Sequence, residues 1–341
     1  MCRFTLVATV ILIATAGCGA YTTSPGGYHP ADSTPAGLWT AGATPPAVLR
    51  LAPDRWNETG SFDPSTAITT PSAGLGATVG LAFAPDGALW VTSPNDDRLL
   101  AFAQSALKGS GPATATVVLE SAGPSLLGAT GLAFDSAHHL WVASYEGGSL
   151  VRFDPAQLTA SGTPVPAVVI SGVGRPTALA FDAAGAVWVS DFLADRVVRY
   201  DPDQLAASGS PEPAAQLKAN AGSLKDPTGL AFDAAGNLWV ANLVGRTVVA
   251  FGPDQLVAGG SVAPRVILAS DNGAFNAAVG LAFDATGGLW VVQSSGTLTR
   301  YAATSLRASG APAPAARVAI AGQSAFWGAA IWPRPSGLPL H

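Results

Sequence analysis

The chain has 341 residues, with 17 Lys plus Arg and 22 Asp plus Glu, so its formal net charge is −5. Only 11% of the residues are charged and 48% are hydrophobic, which excludes a disordered chain and argues against electrostatic binding of nucleic acid. Glycine (39 residues) and proline (27 residues) make up nearly a fifth of the sequence, which indicates many tight turns between short elements. We therefore expect an all-β body and no nucleic-acid partner.

The first segment of the chain has the features of an export signal. An apolar run of 13 residues extends from Phe4 to Ala16 after Arg3, shorter than the roughly 20 residues of a membrane-spanning helix. Ala16 and Gly17 directly precede Cys18, and this resembles the lipobox of bacterial lipoproteins, in which the cysteine is lipidated. The resemblance implies cleavage before Cys18, a lipid anchor in the membrane and a place in the cell envelope. An ordinary secretory signal is the alternative.

These features divide the chain into three parts. Residues 1–17 are expected to be the signal peptide, residues 18–35 a flexible tether rich in small and turn-forming residues, and residues 36–341 the folded body. The only cysteines are Cys2 and Cys18, so the body contains no disulfide.

A repeat of about 51 residues fills the body. A Leu-Trp or Val-Trp pair recurs at intervals of 51, 51, 47, 51 and 51 residues, at Trp39, Trp90, Trp141, Trp188, Trp239 and Trp290. A Gly-Leu-Ala-Phe phrase, with Ala in place of Gly in one repeat, precedes five of these pairs, and an Asp-x-x-Gly type of turn usually joins the two. Two further apolar runs follow, so each repeat offers four short strands. Between the last two, Asp154-Pro155 and Asp201-Pro202 predict a helical turn ended by Gly162 and Gly209.

Four-stranded repeats with apolar residues on both faces are typical of a β-propeller, whose blades stack around an axis. The alternative is an open solenoid, which needs capping repeats at its ends. The first unit begins in its second strand, near Trp39, and the last unit finishes in its first strand, with Gly328 to Ile331. The two incomplete units complement each other, so the sequence predicts a closed ring of six four-stranded blades with no exposed edge.

The recurring Gly-Leu-Ala-Phe-Asp, Gly, Leu-Trp-Val pattern resembles that of NHL-repeat propellers and of the wider gluconolactonase-like six-bladed superfamily, over residues 37–341. In gluconolactonase-like enzymes a divalent cation is held on the axis by Asp, Asn or Glu just before the first strands of several blades. The residues at those positions here carry no carboxylate or amide: Val79, Thr130, Thr177, Thr228, Val279 and Trp327. The resemblance therefore implies the fold, whereas we expect no metal site and no cofactor.

Loop lengths indicate which side of the ring binds a ligand. The connections from the fourth strand of one blade to the first strand of the next are short before Phe181 and Ile331 and four residues longer in the other blades. They share one side, here called the loop face, with the connections between second and third strands; the opposite side is the turn face. The two short connections lie opposite each other, which predicts a groove with Thr177 and Trp327 near its floor. Such a groove suits an extended ligand.

Candidate ligand-binding residues on the loop face combine apolar and polar side chains, as ligand pockets do. They are Tyr145, Asp191, Phe192, Asn242, Leu243, Phe275 and Trp327. In the four long connections, Leu75, Leu126, Leu224 and Phe275 occupy equivalent places. Packing between blades is the alternative interpretation for these four residues, and also for Tyr145 and Phe192.

Two functions fit this pattern. The first is a non-catalytic module that binds an unknown protein, peptide or glycan on the loop face, and it is the function we expect. The second is a divergent lactonase- or lyase-type enzyme that uses Asp191 or Glu146 as a base. His138 and His139 fall in a turn on the opposite face, so neither is placed as a catalytic base there. No residue is assigned a catalytic role.

Overall fold

The computed structural model describes residues 34–336 and 338, apart from 71–74, 76–77, 122, 219, 221–222 and 270–274. The predicted signal peptide, most of the tether and Cys18 lie outside the described residues. Thr34 and Pro35, which the sequence placed in the tether, contact the body: the Thr34 hydroxyl donates a hydrogen bond to the Gly87 carbonyl. Among the described residues, no helix is long and apolar enough to cross a bilayer.

Six blades of four strands form a closed ring, as predicted. We number the blades by their first strands. The chain begins with β1 (Gly37–Ala43), β2 (Pro46–Leu51), β3 (Gly60–Phe62) and β4 (Thr66–Thr69). Blades 1 to 3 follow as β5 (Leu81–Phe83), β6 (Leu89–Ser93), β7 (Arg98–Phe102), β8 (Gly111–Pro112), β9 (Val117–Glu120), β10 (Ala129–Phe134), β11 (Leu140–Ser144), β12 (Ser149–Phe153), β13 (Val168–Ser171), β14 (Pro176–Phe181), β15 (Val187–Asp191), β16 (Arg196–Tyr200) and β17 (Ala215–Lys218).

Blades 4 to 6 complete the ring. Their remaining strands are β18 (Pro227–Phe232), β19 (Leu238–Asn242), β20 (Thr247–Phe251), β21 (Val266–Ala269), β22 (Ala278–Phe283), β23 (Leu289–Gln293), β24 (Thr297–Tyr301), β25 (Ala316–Ile320) and β26 (Phe326–Trp332). The strand β26 pairs antiparallel with β1, with Ile331 opposite Leu38, so blade 6 combines the two ends of the body. This pairing confirms ring closure and excludes the open solenoid.

Short helices occur in the connections. The helix α1 spans Pro253–Ala258, and single 3-10 turns span Pro53–Arg55, Gln104–Leu107, Pro124–Leu126, Pro155–Leu158 and Ala303–Leu306. The predicted helical turn after Asp154 therefore forms, and it is capped by the Gln157 side chain, whose Oε1 accepts the Asp154 N–H at 2.9 Å. The equivalent segment after Asp201 in blade 3 forms hydrogen-bonded turns, with the Gln204 N–H bound to the Asp201 carbonyl at 3.0 Å.

The recurring tryptophans are buried and pack between blades. Three of them contact the first-strand aromatic ring of the next blade: the ring centroids are 5.9 Å apart for Trp39 and Phe83, 6.3 Å for Trp141 and Phe181, and 6.0 Å for Trp239 and Phe283. In blades 2 to 4 the aspartate that follows the first strand binds the indole N–H at 2.9–3.0 Å. The repeated Asp and Trp therefore fix the hairpin to the core.

Glycine is needed where the inner strands approach each other. A Cβ atom on Gly131 would lie 2.7 Å from the Ala178 Cα of the next blade, and one on Gly280 would lie 2.6 Å from the Trp327 carbonyl oxygen. The first residue of the Gly-Leu-Ala-Phe phrase thus allows close packing around the axis.

The outer strand of each blade is covered by the next blade. The strands β3 and β8 pair parallel with β25 and β4, and in the other blades a single glycine takes this place: Gly162, Gly209, Gly260 and Gly310. This corrects the role predicted for Gly162 and Gly209, because the helical turn of blade 2 ends at Leu158, before Gly162. Instead, Gly162 donates its N–H to the Val118 carbonyl at 3.0 Å. The outer edges are therefore paired as well.

Candidate binding face

In five of the six blades a polar side chain stands at the loop-face end of the second strand: Ser93, Ser144, Asp191, Asn242 and Gln293. In blade 3, Asp191 Oδ1 accepts the backbone N–H of Arg175 at 2.9 Å. In blade 4, Asn242 Oδ1 accepts the N–H of Lys225 at 3.1 Å. Each side chain thereby holds the connection that enters its own blade, because these backbone groups have no strand partner there.

Asp191 and Asn242 lie beneath the loop surface. Asp191 is 2% exposed, and its second oxygen forms an ion pair with Arg196 Nε at 2.9 Å. Asn242 is buried, and its Nδ2 donates to the Ser223 carbonyl and to Thr247 Oγ1, both at 3.0 Å. The structure therefore gives both side chains full sets of partners inside the loop scaffold.

Tyr145 and Phe192 meet on the surface of the loop face. Both are half-buried, and their rings form an edge-to-face pair with centroids 6.2 Å apart. The Arg175 guanidinium lies 5.2 Å from the centre of the Tyr145 ring, and its Nη1 donates to the Tyr145 carbonyl at 3.2 Å. The three side chains come from blades 2 and 3 and form one contiguous group.

Aliphatic side chains extend this group into blade 4. Leu193, next to Phe192, is 66% exposed, and Val244 at the tip of the adjacent blade is 58% exposed. Leu243, which precedes Val244, is half-buried and packs against the core shared by blades 5 and 6. We call Tyr145, Arg175, Phe192, Leu193, Leu243 and Val244 the loop-face patch.

The four equivalent residues of the long connections lie in the core. Phe275 is 1% exposed and contacts the Tyr301 ring at a centroid distance of 5.4 Å. Leu75, Leu126 and Leu224 are also buried. Of the two interpretations left open for these residues, packing between blades describes the structure, because the gap between blades widens toward the rim and the connections fill it.

The predicted groove is only partly described. The two short connections, 172–175 and 321–325, are described, whereas each long connection includes residues outside the described set. Trp327 is half-buried and packs against the cores on both sides of blade 6. Thr177 is half-buried as well, and its hydroxyl donates to the Pro227 carbonyl at 3.0 Å. The groove stays a prediction.

The axial positions do not fit a divalent cation. The hydroxyls of Thr130, Thr177 and Thr228 each donate to a carbonyl of the next blade at 3.0 Å, and the other three positions carry Val79, Val279 and Trp327. A hard cation requires several carboxylate, amide or carbonyl oxygens turned toward it. In the described part of the chain, no three His, Cys, Asp or Glu residues converge as metal ligands.

Sequence reasoning missed two arginines on the loop face. Arg175 lies in a short connection, and its contact with Tyr145 joins two blades, so spacing alone does not reveal it. Arg246 is exposed and has a backbone φ of +51°. The same hairpin position holds Asp97, Gly148 and Asp195 in blades 1 to 3. An alignment of the repeats would therefore have singled out Arg246 as the exception.

Comparisons with known proteins identify the fold. No family model and no curated protein matches the chain. A solved chain of a nidogen–laminin complex has a TM-score of 0.61 at 14% identity, covering 86% of this chain and 97% of that one. A catalytically inactive virginiamycin B lyase from Staphylococcus aureus, solved with quinupristin, has a TM-score of 0.50 at 12% identity, covering 80% of this chain and 83% of that one.

A third solved structure, assigned as a gluconolactonase, has a TM-score of 0.45 at 18% identity, covering 67% of this chain and 75% of that one. The first two likenesses confirm the propeller fold that the resemblance to NHL-type and gluconolactonase-like propellers implied. At these identities they concern the fold alone.

Proposed function

We propose that this six-bladed propeller is an exported, lipid-anchored module that binds an extended polymer, a peptide or a glycan chain, on its loop face without catalysing a reaction. The observation that carries the proposal is the loop-face patch. Two aromatic rings from blades 2 and 3 pack against each other, and exposed aliphatic side chains occupy the same loop of blade 3 and the corresponding loop of blade 4. Aromatic anchors beside apolar contacts supply most of the energy in many binding surfaces.

The buried polar residues support a role in positioning the loops. A lactonase- or lyase-type enzyme would need a base that reaches its substrate. Asp191 has both oxygens engaged, one by the Arg175 N–H and one by Arg196. These contacts keep the connection that carries Arg175 beside Tyr145. The carboxylate thus contributes to the shape of the patch, in line with the binding function.

The proposal is tested with variants of the aromatic pair. Arrays of peptides and of soluble glycans are probed with the wild-type protein and with Tyr145→Ala/Phe192→Ala. We expect array members that bind the wild type to lose at least about 1–2 kcal/mol of binding free energy in the double variant. Folding stability should fall by less than the roughly 3–5 kcal/mol that truncating one fully buried aromatic side chain costs, since both rings are half-buried.

A matched control removes apolar groups elsewhere on the surface. Val165 and Val257 are exposed in the connections between third and fourth strands, so Val165→Ala/Val257→Ala should bind as the wild type does. Absence of binding to every array member, or equal binding by the aromatic variant, would overturn the proposal. Turnover of simple lactones together with stoichiometric calcium in the purified protein would favour the enzyme instead.

A further inference from the structure

Two cations of the loop face are paired with a carboxylate. Arg196 binds Asp191 at 2.9 Å, and Lys225 binds Asp195 at 3.1 Å. In contrast, Arg175 and Arg246 form no ion pair within the described residues. Both belong to the loops that carry the patch. An unpaired guanidinium beside exposed apolar side chains is a ready binding group for a carboxylate.

Arg175 is held in place for such a contact. Its guanidinium lies over the Tyr145 ring at 5.2 Å and donates one hydrogen bond, at 3.2 Å, to the Tyr145 carbonyl. A guanidinium has five N–H donors, so most remain for a ligand. Because the ring and the carbonyl already restrict the side chain, less conformational entropy is lost when a carboxylate binds.

Arg246 is marked by its backbone. It adopts φ of +51°, a conformation that favours Gly, Asn and Asp over a long side chain. The equivalent positions in blades 1 to 3 carry Asp or Gly, as expected for this turn. Keeping an exposed arginine in a less favourable conformation points to a role for its charge on this surface.

The patch as a whole is not cationic. Glu146 and Asp226 lie on the same set of loops, and within the described residues neither forms an ion pair. The position of the partner's acidic group therefore determines whether it binds, and the partner's net charge contributes little to affinity. The exposed aliphatic tips, Leu193 and Val244, suit peptide side chains. One face of the Tyr145 ring is covered by Arg175, so that face is not open to stack on a sugar ring.

We infer that the partner of the loop-face patch is a peptide segment in which a carboxylate stands beside aromatic or aliphatic side chains. The carboxylate binds Arg175, with Arg246 as a second anchor at the blade 4 end, and the apolar side chains pack on Phe192, Leu193 and Val244. This inference rests on the proposed binding function and specifies the chemistry of its ligand.

The test selects peptides that bind, and then removes the charged groups from the protein and from the peptide in separate experiments. A phage library of random 12-residue peptides is panned against the protein immobilised through its C-terminal end, and selected sequences are synthesised for calorimetry. We expect selected peptides to combine Asp or Glu with aromatic or aliphatic residues. Arg175→Gln/Arg246→Gln should weaken their binding at least about tenfold, as should an Asp→Asn change in the peptide.

Two further variants refine this test. Arg175→Lys keeps the charge but loses the planar fork, so it should bind less tightly than the wild type and better than Arg175→Gln. Arg307→Gln/Arg317→Gln removes two charges that lie outside the loop face, and it should leave binding unchanged. Thermal unfolding of all variants checks that the fold persists.

Each other result counts against a particular claim. This inference is overturned if the selected peptides lack acidic residues. It is also overturned if they bind both arginine variants as tightly as the wild type but do not bind Tyr145→Ala/Phe192→Ala. In either case the proposed binding function still stands. Polygalacturonate binding that the aromatic variant abolishes, without any selected peptide, also overturns it, since the occupant is then a glycan. Failure of both peptide and glycan probes contradicts the proposed function itself.

Discussion

A single aspartate position behaves differently in one blade. In blades 2 to 4 the aspartate after the first strand accepts the indole N–H of the blade's tryptophan. In blade 5, Asp284 is fully buried and pairs with Arg300 Nε at 2.7 Å, which leaves Trp290 Nε1 without a hydrogen-bond partner among the described residues. Arg300 also binds Asn57 Oδ1 at 3.0 Å. The Asp284–Arg300 pair thus links blade 5 to the connection between β2 and β3 in blade 6, and the Trp290 indole loses its hydrogen bond.

This pair predicts a pH-dependent stability. Burial acts to raise the pKa of Asp284, but the hydrogen bonds from Arg300, Thr286 and the Gly288 N–H outweigh it and hold that pKa below its usual value. Because the folded-state pKa lies below that of the unfolded chain, the stabilisation is present above about pH 4 and is lost as the pH falls through the folded-state value.

The test compares Asp284→Asn with the wild type in urea unfolding at several pH values. At pH 7 the variant should lose about 3–5 kcal/mol, because a buried guanidinium loses its counter-charge. The loss should shrink as the pH falls below about 4, where the carboxylate becomes protonated in the unfolded wild-type chain, and should be smallest below the folded-state pKa. Asp254→Asn, which removes an exposed ion pair with Arg265, should change stability by less than about 1 kcal/mol. A loss from Asp284→Asn that is constant with pH would contradict this account.

At the scale of the element, the inner strand shows which features can be predicted from the sequence of one repeat and which cannot. Its Gly-Leu-Ala-Phe phrase predicts the strand, its repeat and its place before a hairpin, because local turn chemistry and periodicity determine these features. The reason for its glycine lies in the neighbouring blade, where Trp327 approaches Gly280, so the sequence of one repeat does not contain it. The same holds for the contact between Arg175 and Tyr145.

Gly280→Ala should therefore destabilise the ring. Its Cβ would lie 2.6 Å from a backbone oxygen of blade 6, so the inner strands must separate, and we expect a loss of about 1–3 kcal/mol in chemical denaturation. Gly109→Ala is the matched control, since no atom lies within 4 Å of its Cβ position. Equal stability of the two variants would show that the inner strands can accommodate a Cβ atom at this position, which would contradict the close packing described here.

Deleting residues 328–341 tests the closure strand. The deletion removes most of β26, and with it the partner of β1, so one edge and the adjoining core become exposed. Each lost core side chain costs about 2–5 kcal/mol against a total stability of about 5–15 kcal/mol, so cooperative unfolding should disappear in calorimetry. Deleting only residues 333–341 keeps β26 and should preserve a cooperative transition. A parent-like melt of the longer deletion would contradict closure at this strand.

At the scale of the whole molecule, the repeat count and the complementary ends were sufficient to predict the closed six-bladed ring. The binding surface was less predictable. Asp191 and Phe275 have the residue types of a site, yet one is bound inside the loop scaffold and the other lies in the core. Their orientation depends on contacts between connections of different blades, which spacing does not encode. Arg246 could have been identified from the sequence, by comparing the residues at the equivalent position of each repeat.

The anchoring prediction also belongs to this scale. Cys18 lies outside the described residues, and the prediction rests on the sequence around it. Cys18→Ala should move the protein from the membrane fraction to the soluble fraction, because the lipid chains carried by one residue supply the anchor. Fractionation followed by immunoblotting measures this, with Cys2→Ala as control because that residue precedes the expected cleavage point. Unchanged membrane partitioning of Cys18→Ala would refute lipidation.

The first described residues and the end of β26 lie at the same turn. The Thr34 hydroxyl binds the Gly87 carbonyl, and a Cβ on Gly87 would lie 3.0 Å from the Trp332 ring. This turn joins the first and second strands of blade 1, so the chain enters β1 and leaves β26 on the turn face. A support attached through either end of the body therefore leaves the loop face unobstructed. A circularly permuted chain, opened between a second and a third strand, would have both ends on the loop face and would present the opposite side to a partner.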